Sequence, residues 1–446
     1  MRQHIFHHPR SMIVGDMGLG KTAGTLLALT EADRVVDIFP ILVLGPKRVA
    51  NLVWSAEAAN WELTKQLKFS IIVGTEKQRL TALHNSAHVY TCNYENLPWL
   101  RAKFGKRWPF KTVVADESRR LKSFRLRQGS LRAGVLADVA FDTVERWINL
   151  TGTPVANGYK DLWGQMWFVD RGKRLGYSFS AYAREYFYAY GPYNALALNA
   201  NSAARIQHKI KDVCLILRAE DYLSIRKPAV IPVPVRLSPT LTAQYKRLEQ
   251  DLMIALNGRD VLAFNAGALT LKCLQFASGA MYVGESNKQW VVIHNEKIEA
   301  IRSIVEECNG DPLIVAYHFV SDLERLKKAF PHARYLHGNA VEDAKLFDEW
   351  NAGKIEMLLL HPGSAGHGLS LQHGGHRIAF FSHWWALEDY QQIIERIGPT
   401  RQLQSGYDRV VYIYNVFAEG TLDEEVIARR QNKNAVQNQF KLDLRG

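Results

Sequence analysis

Short apolar runs punctuate the chain, and the hydrophobic positions between them fall into the spacing of amphipathic helices. Residues 11–14 (SMIV), 41–44 (ILVL), 70–73 (SIIV), 87–90 (AHVY), 112–115 (TVVA) and 147–150 (WINL) predict strands in the first part of the chain. Most of these runs are apolar on both parities, as strands covered on both faces of a parallel sheet must be. Helix-forming stretches lie between them, beginning with 23–29 (AGTLLAL). Residues 158–218 read as mostly helical, and 227–235 (KPAVIPVPV), with three prolines, predicts an extended connector. The alternation then resumes, with a helix at 242–256 and strands at 313–316 (LIVA), 357–360 (MLLL), 377–381 and 410–414. Further helices are expected at 321–330, 387–396 and 423–432. This rhythm predicts an α/β fold, two parallel-sheet lobes in tandem with a helical insertion after the first. The expected boundaries are 1–157 for the first lobe, 158–235 for insertion and linker, and 236–446 for the second lobe.

The first strand runs into 15–22 (GDMGLGKT), which fits G-x-x-x-x-G-K-[ST] between a strand and a helix. Such a loop aims unpaired helix N-terminal amides at an anion, with Lys21 for the outer phosphates and the Thr22 hydroxyl for Mg²⁺. The strand at 112–115 ends on Asp116-Glu117. Beside a phosphate loop, that pair suits a metal-binding Asp and a Glu that orients or deprotonates water. The strand at 147–150 leads into Thr151-Gly152-Thr153-Pro154. All three motifs fall at strand carboxyl ends, where ligands of parallel sheets bind. The aromatic-rich stretch 177–190 reads as helical core, with base stacking as the alternative.

Composition narrows the class without naming it. The 446 residues are 47% hydrophobic and 22% charged, as in a globular protein, and no apolar run is long enough to span a bilayer. Cys92, Cys214, Cys273 and Cys308 form no C-x-x-C pair, so neither a zinc site nor a disulfide framework is indicated, and a reducing cytoplasm is expected. A net charge of +12 favours a polyanionic partner.

In this order, the phosphate loop, the acidic pair, Thr-Gly-Thr-Pro, a glycine-rich turn in the second half and a Gln/Arg helix resemble the superfamily-two helicases. The motif wording is similar to the Swi/Snf-type DNA translocases, in the minimal form seen in bacteriophage genomes. The residues that carry the likeness are 16–22 (DMGLGKT), Trp54 with Glu57, 150–157 (LTGTPVAN), 366–372 (GHGLSLQ) and 417–425 (FAEGTLDEE). The resemblance implies two RecA-like lobes with ATP and Mg²⁺ in the cleft between them. Gly15, Gly18, Gly20, Lys21, Thr22 and Gly368 would hold the nucleotide, Thr22 and Asp116 the metal, and Glu117 the attacking water. Arg396 would act as an arginine finger, with Arg401 standing in for the second arginine of the last motif. Lys47, Arg48, Asn93, Tyr94, Ser364 and Gln372 match positions that track a DNA backbone.

The implied activity is DNA-stimulated ATP hydrolysis that drives translocation or remodelling of DNA, duplex favoured over single strands. The implied setting is a monomer in the cytoplasm (the host's, if phage-encoded), beside replication or recombination proteins. The chain departs from the family pattern at Ser118-Arg119, where a histidine usually follows the acids, and at Pro399, which takes an arginine's place. The family's adenine-contacting glutamine segment would lie upstream of residue 1. Two alternatives are a partner-loaded strand-annealing ATPase and a catalytically weak DNA-binding scaffold. Intact Lys21, Thr22, Asp116 and Glu117 speak against the scaffold.

Overall fold

The computed structural model describes residues 1–105, 107–126, 131–191, 195–257, 263–283, 289–363 and 370–444, of which 131–133, 252–257, 263–266 and 340–341 are described by backbone alone. The chain divides into two compact units, one made of residues 1–224 with 433–446 and the other of 225–432.

The first unit is built on β1 (Arg10–Gly15), β2 (Ile41–Gly45), β3 (Phe69–Ile72), β4 (Val89–Asn93), β5 (Thr112–Asp116) and β6 (Arg146–Thr151). These form one parallel sheet in the order β3-β4-β2-β5-β6-β1. Both parities of its strands are buried, which is why the runs read as continuous rather than alternating. On one face Met12, Val14, Leu42, Leu44, Val113 and Trp147 pack with the helix Leu162–Asp170, whose residues are buried all round. On the other face Ile13, Val43, Val114 and Ile148 meet Leu26 and Leu29 of the helix Lys21–Ala32 and the fully buried Trp54.

The stretch read as mostly helical does contain helices at Leu162–Asp170, Phe179–Tyr186 and Ser202–Ile210. It also contains an antiparallel hairpin, β7 (Phe187–Tyr190) with β8 (Ala195–Leu198), and β9 (Cys214–Leu217). Phe187 is buried while Tyr188, Ala189 and Tyr190 are exposed, as suits a hairpin anchored at its base. The Cys-Leu-Ile-Leu run of β9 pairs in parallel with β1 and adds a seventh strand beside the phosphate loop.

The second unit holds β10 (Ala229–Val235), a small antiparallel pair β11 (Ala280–Val283) and β12 (Gln289–Val292), then β13 (Leu313–Ala316), β14 (Arg334–Tyr335), β15 (Met357–Leu360), β16 (Arg377–Phe380) and β17 (Tyr412–Ala418). Its parallel sheet runs β10-β17-β16-β13-β15-β14. The proline-rich connector is thus a strand, paired along its length with β17 at one edge of the sheet. Pro232 and Pro234 share one parity, so their missing N–H groups fall on the same side of the strand, and an edge strand has one side with no ladder to break. The sheet is buried on both faces. One carries Val315, Leu359 and Ala379 against Ile301 and Ile304, and the other carries Ile314, Leu358 and Phe380 against Trp350 and Ile393. Two parallel-sheet lobes in tandem are therefore the architecture the chain adopts.

Candidate nucleotide site

Strand register brings the three motifs of the first unit level with one another. β1 pairs with β6 from Arg10 opposite Trp147 to Val14 opposite Thr151, and β6 pairs with β5 so that Leu150 lies opposite Asp116. The phosphate loop, the acidic pair and the Thr-Gly-Thr-Pro turn thus leave three neighbouring strands at the same end. Gly152 approaches the loop closely, since a Cβ there would stand 3.4 Å from the Gly15 carbonyl oxygen.

The loop closes through backbone forms that favour glycine. Gly18 has φ +80° and Gly20 φ +66°, and the helix Lys21–Ala32 starts directly after them. Lys21 lies back on its own loop, its Nζ donating to the carbonyl oxygens of Gly15 at 2.8 Å and Asp16 at 2.9 Å. A Cβ on Gly15 would press to 3.1 Å from the Lys21 side chain, so the lysine needs glycine there to lie flat. Burial lowers the Lys21 pKa from its usual value, against the pull of Glu117 and Asp116. Thr22 is half-buried in the first turn of the helix.

Asp116 ends β5 in a buried setting built for it. The indole Nε1 of Trp54 donates to Oδ2 at 3.0 Å, and the Glu117 N–H donates to Oδ1 at 3.0 Å. The Tyr94 hydroxyl donates to the Asp116 carbonyl at 2.9 Å. Burial, then the neighbouring Glu117 charge, pushes the Asp116 carboxyl up to about 6. Such a carboxylate gains by meeting a cation, and this is the chemical fit for a divalent metal beside Thr22. Glu117 has φ +55° and ψ +52°, a left-handed form costing roughly 1 kcal/mol for a residue with a Cβ. The hydrogen bond from its N–H to Asp116, and that from the Arg120 N–H to its carbonyl at 2.9 Å, hold it there.

Two side chains that the sequence did not single out tie these motifs together. Gln165 accepts from the Ser118 hydroxyl at 3.0 Å, while its Nε2 donates to the carbonyls of Pro154 and Asp161, both at 2.9 Å. Ser118, which departs from the family histidine, is thereby a buried link from the acidic pair to the Thr-Gly-Thr-Pro turn. The second is Lys441, on the last helix, Leu422–Asp443. Its Nζ donates to Asp16 Oδ1 at 2.5 Å, and the Ala219 N–H donates to Oδ2 at 2.9 Å. Burial alone would raise the Asp16 pKa, but Lys441 and the Ala219 amide outweigh it and hold the carboxyl below its ordinary range.

The remaining expected site residues divide. Lys47 is exposed and Arg48 half-buried just after β2. Asn93, Tyr94 and Gln372, matched to DNA-tracking positions, are only 5%, 2% and 7% exposed. Asn93 donates to Glu95 and accepts from Asn96, Tyr94 supports Asp116, and Gln372 donates to Ser405. In this structure their side chains bond within the protein, apart from Gln372 Oε1, which is buried without a partner. In the second unit Arg396 is buried on the helix Leu387–Ile397, and Arg401 donates to the Ser370 hydroxyl at 2.7 Å. Ser364 and Gly368 lie outside the described residues.

A family model described as the SNF2-related domain matches residues 7–263, more than half of the chain. The chain belongs to the SNF2-related family. Protein p41 of Acyrthosiphon pisum secondary endosymbiont phage 1 is 45% identical over 444 residues, a match covering 98% of this chain and 95% of that protein. The match to protein CHROMATIN REMODELING 25 of Arabidopsis thaliana is 23% identical and covers 96% of this chain but 52% of the relative. The DNA repair and recombination protein RAD54-like of Gallus gallus is 21% identical, with 95% and 63% covered. The chain thus spans nearly all of the phage relative but only about half to two thirds of these larger SNF2-related proteins. Among solved structures, the Sulfolobus solfataricus SWI2/SNF2 ATPase core in complex with dsDNA aligns over 100% of this chain and 91% of that one, at 21% identity and a TM-score of 0.43. No helix among the described residues is long and apolar enough to cross a membrane.

Proposed function

We propose that this SNF2-related chain is an ATP-dependent DNA translocase that hydrolyses ATP to move along or remodel duplex DNA. The observation that carries the reading is the junction of β1, β5 and β6. There a phosphate loop, a cation-seeking Asp-Glu pair and a Thr-Gly-Thr-Pro turn stand level, the last two linked by Gln165 through Ser118 and Pro154. Lys21, with the amides after Gly18 and Gly20, would bind the phosphates, and Thr22 with Asp116 would hold Mg²⁺, which supplies charge neutralisation when bound. Glu117 would orient and deprotonate water. Arg396 is assigned the transition-state charge, with Arg401 as its support. Lys47, Arg48, Asn93 and Tyr94 would contact DNA in the first unit, with Ser364 and Gln372 in the second. The names of the recombination and remodelling relatives agree with a DNA substrate, and replication or recombination proteins are the proposed partners.

The test is the steady-state ATPase rate with no nucleic acid, duplex DNA, single-stranded DNA and RNA, across a salt series. Stimulation by duplex, lost in Lys21→Ala and Glu117→Gln, is the expected outcome. A folded protein that binds DNA but hydrolyses nothing on any substrate refutes the enzyme reading and leaves the scaffold.

A further inference from the structure

We propose that the hairpin of β7 and β8 is a second DNA-binding element that stacks the bases of unpaired DNA. The inference rests on the reading of the chain as a DNA-acting motor but uses a surface apart from the nucleotide site.

Tyr188 and Tyr190 lie two apart on β7, so both rings emerge on one face of the hairpin, where they are 53% and 55% exposed. Their cross-strand partners are Ala197 and Ala195, too small to cover a ring. The two ring centroids stand 6.3 Å apart, and Tyr177, 62% exposed, precedes the adjoining helix. The opposite parity anchors the hairpin. Phe187 is buried in the core of the first unit with Tyr182 and Tyr186 behind it, and Leu196 and Leu198 pack against the same core. The rings therefore project from a fixed base.

Charge identifies the occupant. Residues 170–212 contain seven Lys or Arg and three acids, Asp170, Glu185 and Asp212, a surplus of four in a chain whose whole surplus is twelve. Arg174 is held by Asp170 and Asp212, and Glu185 is shared by Arg205 and Lys209. Arg171, Lys173, Arg184 and Lys211 are exposed in addition. Exposed aromatic rings in a stretch of chain with excess cations suit a single strand, since every base offers a π face and every nucleotide a phosphate. Paired bases in a duplex hide those faces, so the element selects unpaired DNA.

The experiment is fluorescence anisotropy of a labelled oligothymidine and of a blunt duplex, without nucleotide, on wild type, Tyr188→Ala/Tyr190→Ala and Tyr188→Phe/Tyr190→Phe. One stacked base is worth roughly 5- to 150-fold in affinity, so the alanine pair should weaken single-strand binding by about 30-fold or more. Duplex binding and duplex-stimulated hydrolysis should stay within about threefold, and the phenylalanine pair should bind like wild type, because stacking needs no hydroxyl. Both rings are replaced at exposed positions, and unchanged circular dichroism shows that the variants fold. A single-strand affinity that falls less than threefold in the alanine pair overturns the proposal, as does an equal loss on duplex. Single-strand binding that depends on the tyrosines in a protein with no ATPase activity sinks the motor reading and leaves this site standing.

Discussion

Replacing Lys441 with methionine tests whether the last helix governs the phosphate loop. Lys441 keeps 10% of its side chain exposed and Asp16 31%, at 2.5 Å between charged atoms. Exposed pairs of this kind contribute about 0–1 kcal/mol, and breaking a fully buried one costs about 3–5 kcal/mol. A half-covered pair falls between, and we expect about 2 kcal/mol, near a 30-fold shift in the docking of the helix end. The direct assay is hydrogen exchange of amides in residues 433–444, whose protection should fall by roughly that factor relative to the core strands. Nucleotide affinity should fall as well, because the Asp16 carboxylate would face the incoming phosphates without its counter-charge. The double variant Asp16→Asn/Lys441→Met should recover most of both losses, since the asparagine oxygen can still accept from the Ala219 N–H. Unchanged protection in Lys441→Met, or a double variant as impaired as the single, refutes the argument.

Two further outcomes follow from buried charges of the second unit. Lys297 and Asp423 are wholly buried and paired at 2.6 Å, so Lys297→Met should destabilise this unit by about 3–5 kcal/mol in thermal or denaturant unfolding, with part regained in Lys297→Met/Asp423→Asn. Burial raises the Asp322 carboxyl to about 6, although Oδ2 accepts from the Phe319 N–H and the Ser382 hydroxyl. A raised acid contributes stability below its unfolded pKa and loses it as pH rises through about 6, so Asp322→Asn should melt higher than wild type at pH 7, by about 2 kcal/mol, with the gain vanishing near pH 4. A variant whose gain is the same at both pH values would contradict this.

What could be read from the sequence was whatever is written locally. The phosphate loop was legible because its glycines, lysine and threonine occupy one turn, and β1, β5 and β6 because short, mostly apolar runs suit a covered parallel strand. The helix 387–396 was legible from its amphipathic spacing and appears as Leu387–Ile397. Features made by distant residues were not. Trp54 reaches Asp116 across 62 positions, Ser118 reaches Gln165 across 47, and Lys441 reaches Asp16 across 425. Nothing in the sequence around Trp54 marks it as a hydrogen-bond donor to an acid. Burial was equally hidden. Asn93 and Gln372 look like surface polar residues until the strand end and the turn that hold them are folded around them. The Cys-Leu-Ile-Leu run of β9 carries the same signal as the other strands of its sheet, but its helical surroundings mask it.

The first unit is not a continuous stretch of polypeptide, because residues 1–224 are completed by 433–446. During synthesis Asp16 leaves the ribosome 425 residues before Lys441. For most of that time a nascent first unit carries Asp16 without its counter-ion, and the groove that receives Phe440 and Leu444 is uncovered. Closure of the first unit in vectorial folding therefore waits on residues 433–446, and a ribosome that stops short of them would release a first unit left ajar.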